Sequence, residues 1–166
     1  VDVIDNLNNS KPEVIDDIEQ ITKQRPSFFN IDLVDAKATA DYFAQHKPDA
    51  VVHFAAHKAV GLSVAQPLEF YRNNLLSLIN VLQCCIQYNA ARVVFSSSCS
   101  VYADPDKLPI DENAPIKKAK SPYGNTKKMG EEIIADAVAS SELQAVSLRY
   151  FNPVGSHDSV LIGELP

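Results

Sequence analysis

The sequence predicts an α/β protein built on a doubly wound parallel sheet. Short apolar runs alternate with helix-spaced segments along the 166 residues. Five such runs are separated by helical crossovers, as parallel strands require. Side chains able to do chemistry recur at the carboxyl ends of the runs, where open parallel sheets bind ligands.

Val1-Asp2-Val3-Ile4-Asp5 reads as the first strand, followed by the polar stretch Asn6-Leu7-Asn8-Asn9-Ser10. Pro12-Glu13-Val14-Ile15 opens a helix with Ser10 or Lys11 near its N-cap, and Val14, Ile15, Ile18 and Ile21 share a helical spacing. Phe28 to Asp32 is a short strand, Lys37 to Gln45 a helix, and Asp49 to Ala56 a strand expected to be buried on both faces. Gln66 to Tyr88 carries a long helical pattern with a kink expected near Asn73-Asn74, and Ala91 to Ser98 is the fourth strand. Pro105, Pro109, Pro115 and Pro122 punctuate an irregular segment. Gly124 to Ser140 is a helix and Leu143 to Tyr150 the last strand; no internal repeat is present.

Composition narrows the function classes. Hydrophobic residues make up 46% of the chain, and the mean hydropathy of -0.10 is that of an ordinary globular domain. A net charge of -6 and a pI near 5.1 argue against a nucleic-acid surface. No apolar stretch approaches membrane-spanning length, and no signal peptide or lipidation motif is seen, so the expected location is cytoplasmic. Cys84, Cys85 and Cys99 have neither a disulfide nor a zinc spacing. His53 and His57, if extended, lie ~13 Å apart, too far for one ion, and no metal site is expected. His53 reads as a packed strand residue.

Candidate chemistry lies in Ser96-Ser97-Ser98 at a strand end and Tyr123-Gly124-Asn125-Thr126-Lys127 at a helix start. A tyrosine and a lysine four apart share a helix face. At ~6 Å and an effective dielectric of ~20, the ammonium favours the phenolate by roughly 2.8 kcal/mol, about two pKa units. Such a tyrosine can act as a base near neutrality, and a serine at the strand end can bind the oxygen whose proton moves. Tyr-x-x-x-Lys alone is more often a solvated pair. The order of strand, serines, proline-rich loop and Ser121-Pro122 entry into the helix favours chemistry.

An ordered set of segments resembles the extended short-chain dehydrogenase/reductases, and within them the UDP-glucose 4-epimerases. The set comprises Asp5-Asn6-Leu7-x-Asn9-Ser10, His53-Phe54-Ala55-x-x-Lys58-Ala59-Val60-Gly61, Tyr71-x-Asn73-Asn74, Phe95-Ser96-Ser97-Ser98-x-x-Val101-Tyr102, Ser121-Pro122-Tyr123-Gly124-x-Thr126-Lys127 and Leu148-Arg149-Tyr150-Phe151-Asn152-Pro153-x-Gly155. Leu161-Ile162-Gly163-Glu164 adds to it. The resemblance implies a Rossmann-like fold and interconversion of UDP-galactose and UDP-glucose. Hydride leaves C4 for bound NAD and returns to the other face of a 4-keto sugar.

By the same resemblance, Tyr123 is the general base and acid, Lys127 lowers its pKa and holds the nicotinamide ribose, and Ser98 binds the C4 hydroxyl. Asp5 also has a physical argument: a carboxylate after the second strand of the complete fold accepts from ribose hydroxyls and repels a 2′-phosphate, favouring NAD over NADP. A turn-forming Asp-Asn pair is the plainer reading of the same residues. The resemblance places Asn6, Asn9 and Ser10 around that ribose, Asp32 and Leu33 at the adenine, and Phe54, Ala55, Lys58 and Asn73 along the cofactor. Tyr150 meets the nicotinamide, and Phe151 and Asn152 begin the sugar-nucleotide site. A homodimer is implied by analogy only.

Two departures shape the expected boundaries. The glycine-rich pyrophosphate turn that precedes the acidic ribose residue by ~20 positions is not in this sequence, and most of a substrate domain would follow Pro166. Residues 1–150 are thus expected to form an incomplete NAD-binding domain and 151–166 the start of a substrate-binding domain. The chain is expected to be an internal fragment, poorly soluble or loosely folded alone and without activity. Ala56, Leu62 and Ala103 also depart from the usual pattern. A related NAD-dependent dehydratase or decarboxylase and a truncated non-catalytic remnant stay open as alternatives. Ser98-Cys99-Ser100 offers no carboxylate for the dehydratase.

Overall fold

Alternation of two-residue and helical periodicities produces five strands and five helices in the computed structural model, which describes residues 1–105 and 107–163. Glu164 of the last family-like segment, and the end of the 151–166 stretch, lie outside the described residues. The chain divides into two compact units.

The first unit holds Val1–Asp32 and the chain from Asn152 onward. Strands β1 (Asp2–Asp5) and β2 (Ser27–Asn30) pair in parallel, with Asp2 opposite Ser27 and Asp5 opposite Asn30. Helix α1 (Glu13–Thr22) joins them and buries Ile15. Its N-cap is Pro12, without a side-chain cap. Neither Ser10 nor Lys11 takes that place, because the Ser10 hydroxyl donates to Asp5 instead.

The second unit is Leu33–Phe151. Its order is α2 (Ala36–His46), β3 (Ala50–His53), α3 (Val60–Ala65), α4 (Pro67–Gln87), β4 (Arg92–Ser98), a 3-10 turn (Cys99–Tyr102), α5 (Pro122–Ala139) and β5 (Gln144–Tyr150). The three strands form a parallel sheet in the order β3-β4-β5. Helix α4 packs against α2 and α5, and α5 against β4. Phe43, Phe70, Leu78, Val81, Val93, Phe95 and Val101 form the core.

Burial differs from expectation at β3. It ends at His53 rather than Ala56, and only His53 of its four residues is buried. The sheet alternates: Val93, Phe95 and Ser97 turn toward the helices, whereas Val52 stays 56% and Val146 49% exposed on the opposite face. A strand covered on one side buries every second residue, which is why the apolar run of β3 does not signify two covered faces. Helix α3 was not expected, being too short to show a period. Helix α4 continues unbroken through Asn73-Asn74.

Helix α5 starts where its sequence demands. The Ser121 hydroxyl accepts the Gly124 N–H at 3.1 Å and Pro122 occupies the first turn. Both choices suit the unpaired N–H groups of a helix start. Tyr123 is thereby placed at the mouth of α5, beside the turn that follows β4.

Candidate active site

Ser98, Tyr123 and Lys127 come together at the carboxyl end of β4. Ser98 caps the 3-10 turn, its Oγ accepting from the Ser100 N–H at 3.2 Å and from the Ser100 hydroxyl at 3.0 Å. The same hydroxyl stands beside the Tyr123 phenol and acts to lower its pKa. One turn into α5, Lys127 is only 4% exposed. Its Nζ donates to the Ser96 carbonyl at 2.7 Å and lies 5.0 Å from the Phe95 ring centroid and 5.8 Å from that of Tyr123.

The electrostatics revise one expectation. Burial raises the Tyr123 pKa above that of a free phenol, while the Ser98 hydroxyl and the Lys58 charge act to lower it. Lys127 is not among the groups that act on it; its ammonium donates to the Ser96 carbonyl. Burial pushes Lys127 down to about 8. His53, stacked 6.1 Å from Phe95, is driven to about 3 by burial and then by the Lys127 charge. It is therefore a neutral packed residue at physiological pH.

Around this centre the second unit gathers further candidates. Phe54 and Tyr150, at the ends of β3 and β5, are exposed, with ring centroids 6.2 Å apart. Ala55 and Lys58 lie in the exposed loop after β3, and Phe151 is exposed after β5. Asn73 is half-buried and donates to Asn74 Oδ1 at 3.1 Å. Leu33 is half-buried, and its carbonyl accepts from Asn80 Nδ2 at 2.8 Å.

The first unit holds the other candidates. Asp5 Oδ1 accepts the Leu7 N–H at 2.6 Å and the Ser10 hydroxyl at 2.7 Å, so the turn-forming role of Asp5 is real. The turn needs Leu7 at φ 58°, a left-handed value. Asn6 Oδ1 accepts the Asn8 N–H at 3.1 Å, while Asn9, Asp32 and Asn152 are exposed.

Several residues that shape the site were given no role by the sequence reading. Asn74 accepts the His57 N–H at 2.8 Å and donates to the His57 carbonyl and to Thr126 Oγ1, both at 3.1 Å. It thus ties the Lys58 loop to α4 and α5. Glu131 and Arg149 form a shielded ion pair between α5 and β5. Their signals were the four-residue step from Lys127 to Glu131 and a charged residue at an inward position of β5. Among the described residues no cluster of ligating side chains could hold a metal.

Residues 1–163 match the NAD dependent epimerase/dehydratase family. The chain belongs to that family. It is 46% identical over 151 residues to a UDP-glucose 4-epimerase of Caenorhabditis elegans, covering 90% of this chain and 43% of the relative. It is 44% identical over 165 residues to that of Bacillus subtilis, covering 99% and 48%. The crystal structure of the Bifidobacterium longum UDP-glucose 4-epimerase in complex with NAD+ and UDP superimposes with a TM-score of 0.95 at 42% identity, over 99% of this chain and 49% of that one. The chain spans about half the length of these relatives. The Rossmann-like reading of the parallel sheets and flanking helices holds.

Proposed function

We propose that the protein carrying this chain is a UDP-glucose 4-epimerase that interconverts UDP-galactose and UDP-glucose. The observation that carries the reading is the meeting of Ser98, Tyr123 and Lys127, with the Ser98 hydroxyl beside the phenol and the lysine buried one turn behind. The donor set fits a nicotinamide riboside: an ammonium and a phenol for ribose hydroxyls, and two exposed aromatic rings, Phe54 and Tyr150, for a flat heterocycle. NAD held by these residues would supply reversible hydride acceptance at the sugar C4.

The chain's own residues do the rest. Ser98 hydrogen-bonds the C4 hydroxyl and orients it toward Tyr123. The Tyr123 phenolate takes that hydroxyl proton as the carbonyl forms, and the phenol gives it back when the hydride returns. Lys127 holds the ribose, and Lys58 adds positive charge that favours the phenolate. Asp5, Asn6, Asn9 and Ser10 hold the adenosine ribose, and Asp32 and Leu33 flank the adenine. Ala55 and Asn73 line the cofactor, and Phe151 and Asn152 begin the sugar-nucleotide site, where residues 151–166 start a substrate-binding domain.

Two coarser features belong to the proposal. Among the described residues no helix is long and apolar enough to cross a membrane, and the three cysteines are free, which supports a cytoplasmic enzyme. Leu76 and Ile86 on α4 are exposed, which supports a homodimer through the outer helices. Tyr123→Phe in the protein tests the central assignment. It is expected to abolish nearly all turnover of UDP-galactose while nucleotide-sugar binding changes only a few-fold; turnover within about tenfold of the parent would overturn it.

A further inference from the structure

Arg149 grips Glu131 at two points, Nη2 to Oε2 at 2.7 Å and Nε to Oε1 at 2.9 Å. The two side chains are only 21% and 12% exposed. Each then reaches a further segment. The Ser97 hydroxyl donates to Glu131 Oε1. Arg149 Nη1 donates to the Tyr102 hydroxyl at 2.8 Å, and the guanidinium lies 4.9 Å from the centroid of that ring.

The placement of these four residues is selective. Ser97 directly precedes Ser98, and Tyr102 closes the turn that begins at Cys99. The backbone on both sides of Ser98 is therefore fastened to α5, the helix that carries Tyr123 and Lys127. A largely buried ion pair contributes little net stability compared with apolar packing. Its two-point geometry does fix orientation, and a hydroxyl must sit within hydrogen-bond reach of its partner in a proton transfer.

We propose that Glu131 and Arg149 are positioning residues, which hold residues 97–102 against α5 so that the Ser98 hydroxyl stays within reach of the Tyr123 phenol. The inference rests on the roles given to Ser98 and Tyr123 above. Neither Glu131 nor Arg149 touches the reacting atoms.

The test uses the protein with Ser97→Ala and Tyr102→Phe, each deleting one arm with little volume, and with Glu131→Gln. The double variant Glu131→Gln/Arg149→Met guards against a fold lost to an unpaired buried charge. Each is made with and without Ser98→Ala. The single-arm variants are expected to lower kcat by about fivefold, and Glu131→Gln by about thirtyfold, with KM held within about twofold. The acid limb of the kcat profile should move to higher pH, because a displaced Ser98 hydroxyl no longer favours the phenolate. In the Ser98→Ala background the same changes should cost less than about twofold more. Full multiplication of the two effects, or a lower melting temperature with kcat and pH limb unchanged, would overturn the proposal.

A second readout needs no turnover. The tyrosine 13Cζ signal of Tyr123, assigned with Tyr123→Phe, should titrate at higher pH in Ser97→Ala and Tyr102→Phe than in the parent, and an unmoved midpoint overturns the positioning role. A parent that fails to turn over UDP-galactose refutes the epimerase reading by itself and leaves this titration to judge the pair.

Discussion

Gly130 lies so close to the ring of Phe95 that a Cβ added at the glycine would come within 2.7 Å of Phe95 Cζ. Leu78 of α4 would be 3.2 Å away. The contact sets how near α5 approaches β4, and the same ring carries the Lys127 ammonium 5.0 Å from its centroid. A missing side chain thus positions a charged one.

Gly130→Ala should therefore destabilise the fold although alanine is the better helix former. The propensity gain is about 1 kcal/mol, whereas overpacking a rigid core costs about 1–3 kcal/mol. Phe95 is only 3% exposed, which leaves its ring little room to move. Chemical denaturation should give a net loss of up to about 2 kcal/mol, and a gain would show that Phe95 yields freely.

Ala103 offers the opposite case. It follows the 3-10 turn at φ 52° and ψ -114°, a conformation open to glycine and strained for any residue with a Cβ. Ala103→Gly should stabilise by about 1 kcal/mol, relief of strain exceeding the added entropy of the unfolded chain. A lower denaturation midpoint would contradict this.

His53 and Lys127 make stability depend on pH in two windows. The His53 pKa falls to about 3 on folding, so between there and ~6.5 the unfolded chain binds the extra proton and stability is lost as pH falls. The full effect is roughly 5 kcal/mol. Lys127 falls to about 8, so its buried ammonium opposes folding below that pH. The penalty, roughly 3 kcal/mol, is relieved as pH rises toward ~10.5. Denaturation midpoints across pH should lose the acid slope in His53→Gln and the alkaline slope in Lys127→Met. Unchanged slopes would exclude these two groups as the cause.

Asp5 can be tested without disturbing its turn. Asp5→Asn keeps an Oδ1 acceptor for the Leu7 N–H and the Ser10 hydroxyl but removes the charge, so stability should shift by less than about 0.5 kcal/mol. In the protein, NAD should bind more weakly and the rejection of NADP should relax, because the repulsive carboxylate is gone. Equal NAD-to-NADP preference in both forms, measured by titration of each cofactor, would reduce Asp5 to a turn residue.

The sequence by itself determined the alternating α/β order and the parallel crossovers, because backbone periodicity and caps such as Ser121-Pro122 are local properties. It also marked Ser98, Tyr123 and Lys127, since their spacing on one helix and one strand end is set by chain geometry. Only the tertiary structure decided which face of β3 is covered, where the Lys127 ammonium points, and that Tyr123 is raised rather than lowered. Those depend on burial and on partners far along the chain: Ser96 is 31 residues from Lys127, and Glu131 is 18 from Arg149. No local pattern encodes the field at a phenol, because that field is the sum of what the fold brings near it.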